Sequence, residues 1–338
     1  MKIKRLILMT AFLILAVCLF SPLKSVILPD AGKADKPQTQ SVKVDITFDA
    51  DSAYAFTAAQ CAFGSRAMNT EAHELCKEWI KNNFLSYGCE LMTQEADLRG
   101  YDGTILKATN IIARLHPEAE KRVLLCAHWD SRPWADNDAD ESNWHKPIIA
   151  ANDAASGVAV MLEIARLLSV KEQVNFGIDF VCFDAEDWGT PQWAPYTPGT
   201  SDTWALGAQY FAKNMPLVPT PQYGILLDMV GGENATFYIE DYSERYALSV
   251  VERIWKAARV TGYSNYFPKE KGGMITDDHV ALNTVARIPT ADIVPYMPNC
   301  LESSFGPTWH TMADDLDHIS KNTLKAVGQT VLQALFEE

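Results

Sequence analysis

No lysine- and arginine-rich stripe runs through this 338-residue sequence: basic residues number 29 against 43 acidic ones, leaving a formal net charge of -14. A nucleic-acid partner needs such a stripe, so that class of function is excluded. Long apolar runs are also missing. The longest, Leu6 to Phe20, falls short of the roughly 20 residues that a membrane-spanning helix needs. Of the seven cysteines, no two stand in a CxxC pair or in a stapling pattern. A chain this long has enough core to fold without disulfides. Cys126 and Cys182 lie inside apolar runs and read as buried apolar residues. Internal repeats and low-complexity stretches are absent as well, which removes solenoids and arrays.

What is present is the composition of a soluble globular protein, 48% hydrophobic and 21% charged. Lys2, Lys4 and Arg5 precede the Leu6 to Phe20 run, which Pro22 closes. That is the charged and apolar order of an export signal, so residues 1–25 are expected to be a signal or an N-terminal anchor. Leu15-Ala16-Val17-Cys18 resembles a lipoprotein box, but Val17 fits it poorly, and no small-x-small cleavage site follows. Export to the periplasm, with or without retention at the inner membrane, is the expected location. Membrane contact is expected only through this segment. Residues 26–41 are polar and read as a linker, leaving residues 42–338 as one domain, expected to be a monomer.

Within that domain, β-rich apolar runs alternate with helix-period stripes. Ile111 to Leu115, Val123 to Ala127, Ile178 to Phe183, Ile225 to Val230 and Ala291 to Val294 are the expected strands. Helices are expected over Glu71 to Phe84 behind Asn69-Thr70, over the stripe Val158, Met161, Leu162, Ala165, Leu168, and over Tyr246 to Val260 and Leu324 to Phe336. The fold class is therefore α/β: a single domain with a mostly parallel, twisted central sheet flanked by helices. Sites in such sheets gather at the carboxyl ends of the strands.

Six ligand- or base-type residues fall at those ends: His128, Asp153, Glu186, Asp187, Asp228 and His310. His128 and Asp130 follow directly on an expected strand. Asp153 precedes a strong helix stripe, where an N-cap role is the plain alternative, although a carboxylate has two oxygens and can both cap and ligate. Glu186 and Asp187 are adjacent acids beside an apolar strand, costly to desolvate unless a cation neutralises them or one holds a proton. A hydrolytic zinc centre uses such a pair as one ligand and one base. Asp228 interrupts the apolar run Ile225 to Val230, and His310 sits in Thr308-Trp309-His310-Thr311.

The order His-x-Asp, Asn-Asp before a helix, an acid pair after a strand, Leu-Asp-Met-x-Gly and a late Trp-His-Thr resembles the family that joins co-catalytic zinc aminopeptidases to glutaminyl cyclases. The resemblance runs from about Phe63 to Glu338. Ile275-Thr276-Asp277-Asp278-His279 separates its two branches, because the aminopeptidases carry Ser-Asp-His there and the cyclases Asp-Asp-His. His128-Trp129-Asp130-Ser131-Arg132, Phe63-Gly64-Ser65-Arg66 and Phe305 to Met312 also look like the cyclase versions, in the bacterial, animal-like form. The sequence departs from the pattern at Asp187, where many relatives have glutamate. A ligand one methylene shorter implies a metal closer to its strand.

The resemblance implies a glutaminyl-peptide cyclotransferase, which converts N-terminal glutamine of peptides and exported proteins to pyroglutamate and releases ammonia. It implies one zinc ion per chain on Asp153, Asp187 and His310, with Glu186 as proton carrier. Asp277 would orient the amine and be hydrogen-bonded to Asp228. Trp193, Trp309 and Ile275 would wall the substrate pocket, and Gly272-Gly273 would let a loop approach it. The alternative is a two-zinc aminopeptidase in which His128 and Asp228 take a second ion, since every position for it is present. An inactive peptide-binding relative is the third reading.

Overall fold

The computed structural model describes residues 43–171, 174–195 and 198–337. The expected export segment and linker therefore lie outside the described residues. No helix among the described residues is long and apolar enough to cross a membrane.

One sheet of six strands carries the fold. In chain order these are β1 (Glu90–Arg99), β2 (Ile105–Leu115), β3 (Arg122–His128), β4 (Gly177–Phe183), β5 (Gly224–Leu227) and β6 (Thr290–Ile293), arranged β1-β2-β4-β3-β5-β6. β4, β3, β5 and β6 run parallel, while β2 pairs antiparallel with both β1 and β4. The sheet is thus mixed: four of its six strands are parallel and carry four of the five expected runs, while Ile111 to Leu115 falls on the antiparallel β2. Every residue of β3 and β4 is buried, which is why both read as unbroken apolar runs. β1 escaped the sequence reading because no residue of this edge strand is buried and its sequence, ELMTQEADLR, has no apolar run.

Helices cover both faces: α1 (Ala50–Cys61), α2 (Glu71–Ser86), α3 (Gly157–Ser169), α4 (Leu206–Lys213), α5 (Asp241–Thr261), the short α6 (Asp278–Ala281) and α7 (Lys321–Leu335). Thr70 caps α2 by accepting from the His73 amide. Val158, Met161, Leu162, Ala165 and Leu168 of α3 are all fully buried. Side chains of the leucine or valine kind each contribute about 1.5–3 kcal/mol when so buried. α3 also lies close against β5, because a side chain at Gly157 would run into the Leu227 carbonyl. α1 and α4 were not foreseen. α1 has an apolar residue on nearly every side and so no stripe to read, and α4 spans only eight residues.

In chain order, β3 is followed by β4 on one side and β5 on the other, so the strand order reverses between β3 and β5. The crevice at the carboxyl ends of these two strands is where an open α/β sheet binds its ligand.

Candidate metal centre and its cavity

Each expected ligand is delivered to that crevice by a local feature of the chain. β3 ends on His128, and the chain continues to Asp130, whose two carboxylate oxygens accept the backbone N–H groups of Glu186 (3.1 Å) and Asp187 (3.2 Å). The acid pair after β4 is therefore fixed by the strand beside it. A second buried pair stands behind it: Asp184 accepts from the Thr109 amide (2.6 Å) and lies 2.8 Å from His73 Nε2, whose ring stacks on Trp129. Asp153 sits in a π-helical turn, Ala151–Ser156, ahead of α3. Its carboxylate caps nothing, so the N-cap alternative is not realised. Asp314 holds the turn by accepting from the Asn152 (2.7 Å) and Asp153 (3.0 Å) amides. On its other side, Asn152 and Ser156 accept from Gly231 and Val230 beyond β5.

Several of these residues adopt left-handed backbone angles without being glycine. Ala150, Ala185, Ala205, Met229 and His310 have φ between 50° and 57°. Such conformations are uncommon for residues with a side chain, and they persist where packing over-determines them, commonly at functional sites.

Asp153 is shared by two histidines. Its Oδ2 lies 3.6 Å from His310 Nε2, which in turn lies 3.3 Å from Asp187 Oδ1. Its Oδ1 lies 2.9 Å from His128 Nε2, which is 3.2 Å from Asp228 Oδ1. His310 is oriented through Nδ1, 3.5 Å from Asp136. Asp136 also takes a two-pronged contact from the buried Arg132, at 2.6 and 2.7 Å, and Arg132 Nη1 reaches Asp187 Oδ1 at 3.2 Å. The Arg132 guanidinium faces the Trp134 and Trp204 rings. One arginine thus braces the partner of His310 and Asp187 together.

A cavity of about 450 Å³ opens above these groups. Asp153, Glu186, Asp228, Asp277 and His310 supply its polar lining, and Trp204, Ile275, Phe305 and Trp309 are among its apolar walls. Gly273 also lines it, as the glycine pair suggested. Asp187 and His128 are buried beneath. Trp309 and Ile275, expected to wall a substrate pocket, both line this cavity. Trp193 does not line the cavity: it packs on His145, Trp134 and Trp144, and the wall position falls to Trp204. The segment between them is rich in proline and glycine, so spacing from Glu186 did not fix which tryptophan turns inward. The expected link between Asp277 and Asp228 is also replaced. Asp228 is engaged by His128, and the Asp277 carboxyl lies instead beside Asp292 of β6 and His279, with one ligand-type atom of each within 4.8 Å of the others.

The electrostatics follow from so many acids in so little water. Burial, reinforced by neighbouring carboxylates and only partly opposed by His128, pushes Glu186 well above the usual carboxylate range and Asp228 up to about 7. Burial also raises Asp277 and Asp187. Burial alone would push His128 towards neutrality, but the Asp130, Asp153 and Asp228 carboxylates around it raise its pKa well above the ordinary histidine value.

The donor set at Asp153, Asp187 and His310 fits zinc. Their ligand atoms all lie within 4.8 Å of one another, and Asp187 Oδ2 is buried without a hydrogen-bond partner. One imidazole and two carboxylates leave a fourth tetrahedral position open, as in catalytic zinc sites.

The fold and this ligand set define a zinc exopeptidase-like α/β enzyme. Residues 110–335 match the model of Peptidase family M28, and the chain belongs to that family. Among solved structures, a Bacteroides thetaiotaomicron glutaminyl cyclase bound to N-acetylhistamine is 50% identical, with a TM-score of 0.83 over 86% of this chain and 99% of that one. A Zn-dependent exopeptidase from Parabacteroides distasonis is 49% identical, with a TM-score of 0.82 over 86% of this chain and 99% of the other. The glutaminyl-peptide cyclotransferase of Boiga irregularis is 24% identical over 263 residues, 68% of this chain. The chain spans 65% of the length of that curated relative.

Proposed function

We propose that the domain is a glutaminyl-peptide cyclotransferase acting on peptides and exported proteins with N-terminal glutamine, with one zinc ion per chain. The observation that carries this reading is the trio Glu186, Asp228 and Asp277 lining one cavity beside the Asp153, Asp187 and His310 ligand set; His128, Asp153 and Asp228 are also spaced for a metal, and the one-ion reading gives that second set to a hydrogen-bonded His128. Half-identity to a glutaminyl cyclase over most of the chain supports it further.

Bound at Asp153, Asp187 and His310, zinc would polarise the γ-carbonyl of the glutamine side chain and stabilise negative charge on its oxygen. The rest is done by the chain. Trp309, Trp204 and Phe305 enclose the folded-back side chain and exclude water, so that the peptide's own amine is the nucleophile. Holding amine and amide carbon together makes ring closure intramolecular. Asp277 accepts a hydrogen bond from the α-amine and aims it. As the new C–N bond forms, Glu186 takes a proton from the attacking nitrogen; it returns that proton to the amide nitrogen as the old C–N bond breaks and ammonia leaves.

His128 favours one ion over two. Its Nε2 is within hydrogen-bond reach of Asp153 and Asp228, so it serves as a buried cation that holds both carboxylates in place. Incubating residues 42–338 with a Gln-initiated and a Leu-initiated peptide tests the reading by mass spectrometry. Ammonia loss from the glutamine peptide alone is expected; free leucine would replace it with the two-zinc aminopeptidase. The basic and apolar order of residues 1–25 supports a location outside the cytoplasmic membrane, which cell fractionation tests: recovery in the cytosol would overturn it.

A further inference from the structure

Beside the cavity lies a second buried group of ionisable residues, of which the proposed chemistry uses Asp277 alone. Asp277, Asp278, His279 and Asp292 are all at most 4% exposed, and Glu240 is 1% exposed. Glu240 organises them. It is the N-cap of α5: its Oε1 accepts from the Tyr242 amide (2.8 Å), and its Oε2 accepts from the Ser243 amide (2.6 Å) and hydroxyl (2.9 Å). An N-cap needs no more than this. Yet the same carboxylate reaches two further groups, the Ile275 amide at 3.1 Å and His279 Nε2 at 3.0 Å.

Both extra contacts lead to the cavity. Ile275 belongs to the wall Gly273 to Asp277. Among the described residues, Glu240 makes the one side-chain hydrogen bond to the backbone of residues 274–276. On the other branch, His279 Nδ1 lies 3.6 Å from Asp292 Oδ2, and the Asp292 and Asp277 carboxylates approach each other within 4.8 Å. The Asp292 amide also donates to the Ser243 hydroxyl (2.9 Å), which donates to Glu240. Glu240 is therefore tied to the cavity wall by backbone, and it packs with the Asp277 carboxyl in one buried cluster through His279, Ser243 and Asp292.

We propose that Glu240, which does not line the cavity, is a positioning residue that sets the Gly273 to Asp277 wall and the direction of the Asp277 carboxyl. The effect on turnover rests on the cyclotransferase reading; the effect on the wall does not. Glu240→Asp separates this role from capping, because aspartate is a favoured N-cap but is one methylene too short to keep all five contacts. Three readouts on the zinc-loaded protein decide it. The unfolding midpoint should move by no more than about 3 °C. Amide exchange across residues 273–277 should accelerate about tenfold, and kcat on a Gln-initiated peptide should fall about tenfold with KM changed less than about threefold. Ser243→Ala, which cuts only the hydroxyl link, should move exchange and kcat in the same direction by less, and serves if Glu240→Asp does not fold. Parental exchange in this segment overturns the proposal, as does parental kcat with accelerated exchange. If the parent protein does not turn over glutamine peptides, the functional reading fails, and the exchange measurement still decides the role of Glu240.

Discussion

His310 and His128 share one carboxylate, that of Asp153, and are held at different distances from it. His310 Nε2 stands 3.6 Å from Asp153 and 3.3 Å from Asp187. A tetrahedral zinc with bonds of about 2.0 Å separates its ligand atoms by about 3.3 Å, so this spacing is that of ligands around an ion. His128 Nε2 stands 3.2 Å from Asp228, a distance that hydrogen bonding and shared ligation both allow, and 2.9 Å from Asp153, the shorter spacing of a direct hydrogen bond. His310 also borders the cavity, whereas His128 lies beneath it. On the proposed one-zinc reading, residues that look equivalent as a list of ligands divide into a metal centre and an internal cation.

The division can be broken most forcefully from the metal side. His310→Ala should remove zinc and lower turnover of a Gln-initiated peptide by at least about a thousandfold, read by metal analysis and ammonia release. Glu186→Gln should cost about a hundred- to ten-thousandfold in kcat while zinc content stays at the parental value, because it removes the proton carrier and no ligand. Asp136→Asn weakens the partner of His310 Nδ1 without touching a ligand. Zinc affinity, measured by competition with a chelator, should fall about ten- to a hundredfold.

Away from the ligands the effects are smaller and depend on pH. Burial pushes Glu240 upwards, but the hydrogen bond and charge of His279 and the Tyr242 and Ser243 amides outweigh it, leaving the carboxyl at about 2. A depressed carboxyl stabilises the fold above its unfolded pKa of about 4.5, and that stabilisation is lost as pH falls towards 2. Its full value is about 3 kcal/mol. Glu240→Gln should therefore be less stable than the parent at pH 6 by about that amount, with the gap closing between pH 4.5 and 2 in denaturant titrations. The smallest effect belongs to Trp193→Ala, which should leave kcat/KM within about threefold of the parent, whereas Trp204→Ala should raise KM about tenfold.

Much of this division was legible in the sequence. Buried parallel strands print as apolar runs, and the residue that ends each run is placed by the fold itself, which is how His128, Glu186, Asp187 and Asp228 were found. Asp277 was found through motif resemblance. What was hidden depended on contacts between distant segments. Arg132, Asp136 and Asp314 orient the ligands; Arg132 stood in the sequence only as the end of a motif, without a role, and nothing in the local sequence of Asp136 or Asp314 separates them from surface charge. Trp204 replaced Trp193 because a tryptophan's direction in an irregular segment depends on packing against Arg132 and His310. Glu240 reads as an ordinary helix cap, and its further contacts come from residues 35 and 39 positions away.

Zinc stoichiometry tests the central division most directly. After extensive dialysis, metal analysis of the parent protein and of His128→Gln should give one zinc ion per chain in both. Two ions in the parent and one in the variant would make His128 a ligand and contradict the account.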